Sequence, residues 1–176
     1  MGCGKSSVGR RLSELLCCPF MDLDNAIEER TGRAIPEIFA NDGEAAFRAL
    51  ELDVLKDTVC RADRESQSVI VALGGGAVMT PECAEIVHDD TLCIYLRASV
   101  ETLLEHLSGQ TSNRPLLNAD CHSDQAERAE GSLIRTRIET LMAQRAGTYE
   151  KTAHIIIDTD GKSVEAVASE IISKLG

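Results

Sequence analysis

Met1-Gly2-Cys3-Gly4-Lys5-Ser6-Ser7 opens the chain, and within it Gly-x-Gly-Lys-Ser is the second half of a phosphate-binding loop. In such a loop, glycines let consecutive backbone N–H groups curl around a phosphate, a lysine adds a point charge, and the next hydroxyl can hold Mg²⁺. Here the parts are Gly2, Cys3 and Gly4, then Lys5, then Ser6 with Ser7 behind it. Val8, Leu12, Leu15 and Leu16 follow at i, i+4, i+7 and i+8, the apolar stripe of a packed helix. A helix starting near Lys5 aims its N-terminal N–H groups and positive dipole end at the loop. A glycine-rich tail leading into a helix is the competing reading, and the stripe argues against it. The full pattern asks for a glycine five positions before Gly4 and a hydrophobic strand before the loop; the chain as given has neither.

Downstream, helix and strand signals alternate. Residues 19–24, 69–73, 92–96 and 154–158 read as strands, the first with carboxylates two apart and the others continuously apolar. Between them lie a short helix from Ala26 that stops at Gly32 and a long one opened by Asn41 and Glu44, with Phe47, Leu50, Val54, Leu55 and Val59 on one face. Further helices follow Thr80-Pro81, run from Ser99 through Leu107, span about 133–145, and carry the final stripe Val164, Val167, Ala168, Ile171, Ile172, Leu175. Continuous apolar strands separated by amphipathic helices imply an α/β protein, a parallel sheet covered on both faces. Four strands are visible, and a fifth would be the one absent before Met1. Residues 109–131 are polar and are expected to be mobile.

The chain has 176 residues, 43% hydrophobic and 27% charged, which suits one domain (1–176) with a sizeable core. A net charge of −11 disfavours a nucleic-acid binder, whose footprint is basic, and requires that any anionic ligand be drawn in by locally clustered Lys and Arg. Seven cysteines without a C-x-x-C pair read as reduced thiols in a reducing compartment. No apolar run approaches membrane-spanning length, and a cytoplasmic location without a membrane partner is the expectation.

Several residues carry candidate chemistry. Asp22 and Asp24 fall at a strand's C-terminal end, where ligands collect in open α/β sheets, and two-residue spacing on an extended chain puts them on one side. One can hold Mg²⁺ through water and the other can take a proton from a hydroxyl; the plainer reading has Asp24 capping the next helix. Gly74-Gly75-Gly76 after a strand exposes backbone N–H groups to a ligand. Arg48 and Glu51 form an i, i+3 pair that by itself is a solvated ion pair, and Arg145 by itself is a helix C-terminal dipole partner. Arg114 in Asn113-Arg114-Pro115-Leu116-Leu117 is either a lid arginine or a solvated loop charge. Cys3 reads as a small filler residue.

As an ordered set, Gly2-Cys3-Gly4-Lys5-Ser6-Ser7, Asp22-Leu23-Asp24, Phe47-Arg48-Ala49-Leu50-Glu51, Gly74-Gly75-Gly76-Ala77-Val78, Arg114-Pro115-Leu116-Leu117 and Gln144-Arg145-Ala146-Gly147-Thr148-Tyr149 resemble the shikimate kinase family of P-loop, nucleoside-monophosphate-kinase-like enzymes. The resemblance spans the whole chain. It implies a three-layer P-loop kinase with a mobile lid, acting as a monomer and transferring phosphate from ATP to the 3-hydroxyl of shikimate in aromatic amino-acid biosynthesis. By the same resemblance Lys5 and the loop N–H groups hold the ATP β/γ-phosphates, Ser6 and Asp22 hold Mg²⁺, and Asp24 binds the reacting hydroxyl as base. Arg48 and Arg145 clamp the substrate carboxylate, suited to planar bidentate donors. Glu51 orients Arg48, the backbone at Gly74, Gly75 and Gly76 meets the substrate, and Arg114 closes over the phosphates.

The chain departs from that family pattern at three places. The first strand and first loop glycine have no counterpart, so a start assigned too far downstream or a shortened chain is expected. Arg114 and Arg145 stand 31 positions apart, with 118–131 resembling an insertion. The arginine usual before the lid is replaced by a stretch, 103–109, offering only His106. Two other readings compete: a degenerate kinase-like domain that binds nucleotide without turnover, and a kinase for another hydroxy-acid such as gluconate.

Overall fold

The computed structural model describes residues 3–108 and 124–176. Helix α1 (Lys5–Leu16) begins where Gly4 takes φ 74°, a left-handed conformation that glycine adopts without steric cost. Gly9 lets α1 press on strand β1 (Phe20–Asp22): a Cβ there would stand 2.6 Å from Cε2 of Phe20, inside van der Waals contact. Then come α2 (Leu23–Thr31), closed by Gly32 at φ 65°, α3 (Ile35–Asn41) and the long α4 (Gly43–Glu65). Strand β2 (Ile70–Ala72) leads through the triglycine stretch and a 3-10 turn (Ala77–Met79) into α5 (Pro81–Asp89). The rest is β3 (Ile94–Arg97), α6 (Val100–Ser108), α7 (Asp124–Thr152), β4 (Ile155–Asp158) and α8 (Val164–Leu175).

All strand pairing is parallel, but the four strands form two pairs and not one sheet. β1 lies beside β2 with Phe20 opposite Ile70 and Asp22 opposite Ala72; β3 lies beside β4 with Ile94 opposite Ile155 and Arg97 opposite Asp158. Among the described residues, β2 and β3 each have a ladder on one side only. A cavity of about 110 Å³ lies between the pairs, lined by Leu73 and Gly75 beyond β2, by Ile94, Tyr95 and Leu96 of β3, and by Lys5.

Both faces are covered, which is why the strands read as continuously apolar. Ile70 packs with Val8, Leu12, Ile157, Val167 and Ile171 under α1 and α8. Val71, its neighbour, points the other way and packs with Leu23, Ile27, Ile38, Phe47 and Val54.

Local expectations were corrected where tertiary context overrode pattern. Leu15 and Leu16 extend the apolar stripe of α1 in sequence yet lie 42% and 44% exposed, because only Val8 and Leu12 reach the core. Asn41 ends α3 and does not cap the long helix; Asp42 takes the cap position without a side-chain bond, and Glu44 reaches forward to Arg48. β1 stops at Asp22, two residues earlier than the pattern suggested, since Asp22 already caps α2. The helix expected over 133–145 runs from Asp124 to Thr152.

Candidate active site

The strand-to-helix junction after β1 sets the first group of functional side chains. One Asp22 carboxylate oxygen accepts the Asp24 backbone N–H at 3.2 Å, an N-cap bond for α2. The other accepts the Ser6 hydroxyl at 2.7 Å, tying the phosphate-loop half to the end of β1. Asp24 therefore sits in the first turn of α2 and not on an extended strand, and it is Asp22, not Asp24, that caps the helix. Burial pushes the Asp24 carboxyl above its ordinary range and the Asp22 charge adds to this, while Lys5 and Arg48 pull it back. Lys5 Nζ lies 3.7 Å from the Cys3 thiol at the mouth of the loop, and Ser7 is exposed on α1.

Helix α4 supplies the second group. Arg48 is held by Glu44 through Nη2 at 3.0 Å, by Glu51 through a shorter bond from Nη1, and over the Phe47 ring at 5.3 Å. Glu51 is 1% exposed, so the pair is not the solvated ion pair its spacing alone suggested. Glu51 Oε1 has no hydrogen-bond partner. Burial raises the Glu51 carboxyl, against the pull of Arg48. Burial alone would lower the Arg48 guanidinium, but the bonds to Glu51 and Glu44 outweigh it and leave it raised.

The triglycine turn joins these groups. A Cβ at Gly74 would lie 2.9 Å from Asp24 Oδ1 and 3.0 Å from Glu51 Oε1; one at Gly76 would lie 2.5 Å from Arg48 Nη2. Side chains at either position would occupy the space those carboxylates and the guanidinium now fill. Gly75 offers its carbonyl oxygen, which accepts Arg145 Nη1 at 3.1 Å and the Tyr149 hydroxyl at a shorter distance. Because α7 runs on to Thr152, Arg145 is no helix-end dipole partner; its guanidinium goes to the turn.

The structure thus brings Lys5, Ser6, Asp22, Asp24, Arg48, Glu51, Gly74, Gly75, Gly76 and Arg145 into one neighbourhood. Gly2, Arg114 and the whole of 109–123 lie outside the described residues, while 124–131, part of the stretch expected to be mobile and to be an insertion, form the start of α7. Two contacts were not foreseen from sequence. Glu44 on Arg48 is visible as an i, i+4 acid–base pair, and Tyr149 falls four residues after Arg145, one turn along the same helix face.

A phosphate-binding half-loop at a helix N-terminus, beside a hydroxyl–carboxylate pair and an arginine-framed glycine turn, is the layout of a P-loop phosphotransferase for a small acidic acceptor. The family model described as shikimate kinase matches residues 1–176. A shikimate kinase of Thermus thermophilus is 39% identical over 175 residues, covering 99% of this chain and 85% of that protein. One of Salinibacter ruber is 40% identical over 172 residues, covering 98% of this chain and 79% of that one. Among solved structures, shikimate kinase from Acinetobacter baumannii in complex with shikimate superposes with a TM-score of 0.81 at 31% identity, over 99% of this chain and 88% of that one. The enzyme from Bacteroides thetaiotaomicron gives 0.82 at 26% identity, over 99% and 93%. The chain belongs to the shikimate kinase family.

Proposed function

We propose that this chain transfers the γ-phosphoryl group of ATP to the 3-hydroxyl of shikimate. The observation that carries the reading is the triglycine turn, around which Asp24, Glu51, Arg48 and Arg145 converge from three separate helices. Two arginines held from different helices suit one planar carboxylate, and an acidic group between them and Lys5 suits a neighbouring hydroxyl.

In this reading the substrate hydroxyl oxygen forms the new bond to the γ-phosphorus, the bond from that phosphorus to the β–γ bridging oxygen breaks, and ADP leaves with that electron pair. The hydroxyl proton goes to an Asp24 carboxylate oxygen. Burial raises the proton affinity of that oxygen, which favours the transfer. Lys5 and the N–H groups entering α1 neutralise the phosphates, Glu51 keeps Arg48 aimed, and Arg114 closes from the lid.

The residues present fit Mg²⁺: the Ser6 hydroxyl and an Asp22 carboxylate oxygen are two hard donors 2.7 Å apart, and this ion takes few protein ligands beside phosphate oxygens. Bound with ATP, it would neutralise charge developing on the β- and γ-phosphates. A monomer working in the cytoplasm, with neither nucleic acid nor membrane as partner, belongs to the same reading. No helix among the described residues is long and apolar enough to cross a membrane.

The test is ADP release from Mg-ATP with and without shikimate, with the phosphorylated product identified by mass spectrometry and ³¹P NMR. Shikimate-dependent ADP release is expected. Nucleotide binding without turnover would select the degenerate-domain reading, and faster turnover with gluconate would reassign the acceptor.

A further inference from the structure

We infer that Tyr149 is a positioning residue for acceptor recognition, holding the Gly75 carbonyl against which Arg145 is aimed. The inference rests on the functional reading above, in that it takes Arg145 to meet the substrate carboxylate.

A carbonyl oxygen has two lone pairs, and the Gly75 oxygen uses both: one for Arg145 Nη1, at 3.1 Å, and one for the Tyr149 hydroxyl. The Ala77 N–H bonds the Gly74 carbonyl at 3.2 Å and closes a turn with the Gly75–Gly76 peptide at its centre. With glycine at both central positions that peptide can flip between turn types, so the turn alone does not fix it. The peptide unit is planar, so whatever holds the oxygen also fixes the Gly76 N–H on the opposite side. Gly76 in turn abuts Arg48. The Tyr149 hydroxyl thus shares one acceptor with Arg145 and steadies the peptide that leads into Gly76. Holding Arg145 by a single N–H leaves its other guanidinium donors available for a ligand.

The ring and the hydroxyl of Tyr149 do separate work. The ring tilts against Tyr95 with centroids 5.2 Å apart and packs on the cluster of Leu55, Val78, Cys83 and Val87. Tyr149→Phe keeps that packing and removes only the bond to Gly75. The variant should therefore fold and melt as the parent does.

Steady-state kinetics with shikimate and ATP varied separately read the outcome. Losing one hydrogen bond to the Gly75 carbonyl should raise the shikimate KM roughly 5- to 10-fold. The ATP KM and kcat should stay within about 2-fold, the split expected when binding alone is weakened. A second measurement asks whether Tyr149 acts through Arg145: in an Arg145→Ala background, adding Tyr149→Phe should change kcat/KM by no more than about 2-fold. An unchanged shikimate KM, a joint rise in both KM values with a lowered Tm, or independent multiplication of the two effects would each overturn the proposal. Calorimetric titration with shikimate keeps the two levels apart. A parent that binds shikimate but does not turn it over refutes the catalytic reading, while the ratio of parent and Tyr149→Phe affinities still reads the role of Tyr149.

Discussion

Gly76→Ala is the most exacting test of the site. The backbone at Gly76 has φ −112°, open to any residue, so the substitution brings no backbone strain. Its effect is confined to one methyl group, which would lie 2.5 Å from Arg48 Nη2, 2.7 Å from Nη1 and 2.9 Å from Cζ. The guanidinium must move, and it cannot do so while keeping Glu51, Glu44 and the Phe47 face. Glu51 is fully buried with one oxygen already unpartnered, so losing Arg48 leaves a buried carboxylate unpaired. Breaking a fully buried pair costs about 3–5 kcal/mol. Arg48 retains 22% side-chain exposure, so solvent screening lowers the figure to roughly 2–3 kcal/mol. That cost is read in the melts; losing the charge-assisted bond from Arg48 to the substrate carboxylate, about 2–3 kcal/mol, should raise the shikimate KM about 30- to 150-fold, with nucleotide binding close to that of the parent. Arg48→Ala should match it within a few-fold. The control is Gly147→Ala on α7, where nothing lies within 4 Å of the new methyl; it should gain up to about 1 kcal/mol of helix stability with activity unchanged. The assay is coupled ADP release at saturating Mg-ATP over a shikimate series, with thermal melts alongside. A Gly76→Ala protein with the parent's shikimate KM would refute the reasoning, because the arginine would then be either free to yield or irrelevant to the acceptor.

Asp24→Asn should reduce turnover roughly 10²- to 10⁴-fold by removing the proton acceptor. It should also raise Tm at neutral pH. A carboxyl whose folded pKa is raised is best tolerated below its unfolded pKa, and stability is lost as pH rises through the folded value. The gain should thus vanish in melts below the ordinary aspartate range, and a lowered Tm at neutral pH would contradict the burial argument. Burial pushes the Cys93 thiol up to about 11, so iodoacetamide at pH 8 should label it far more slowly than the exposed Cys17 and Cys60, as peptide mass mapping would show. An N-terminal extension bearing an apolar strand that ends in Gly-x should set main chain against the edges of β2 and β3 that have no ladder among the described residues, and raise both Tm and the ATP-induced shift. Equal melts would mean those edges are not the weak point.

The chain's alternation of apolar strands and amphipathic helices made the α/β class legible, because burial on both faces leaves a compositional mark at Ile70, Val71 and Ile94. The ordered motifs likewise named most of the residues that the structure gathers around the triglycine turn. Pattern failed where a residue's neighbour in space decides its role. Asp22 and Asp24 look equivalent on an extended chain, and only the turn into α2 makes one a cap and the other a half-buried acid. Arg48 and Glu51 carry the spacing of a surface pair, and nothing local reveals that Glu51 lies beneath Gly74. Tyr149 is an ordinary helical aromatic until the Gly75 carbonyl arrives from a segment 74 residues away.

The site also places its costs unevenly. Glu51 keeps a buried oxygen without a donor, burial and the adjacent Asp22 raise the Asp24 carboxyl, and Gly75 presents its main chain to two donors. An unpaired buried acceptor costs stability by itself, so a protein selected for stability alone would replace Glu51 by an apolar residue. In the proposed reading the acceptor brings its own hydroxyls and carboxylate to the glycine turn. With a net charge of −11, an anionic substrate gains nothing from the overall field. In the proposed reading, recognition comes from Lys5, Arg48 and Arg145 at short range, with Arg48 braced by Glu51 and Arg145 by the Gly75 carbonyl that Tyr149 also holds.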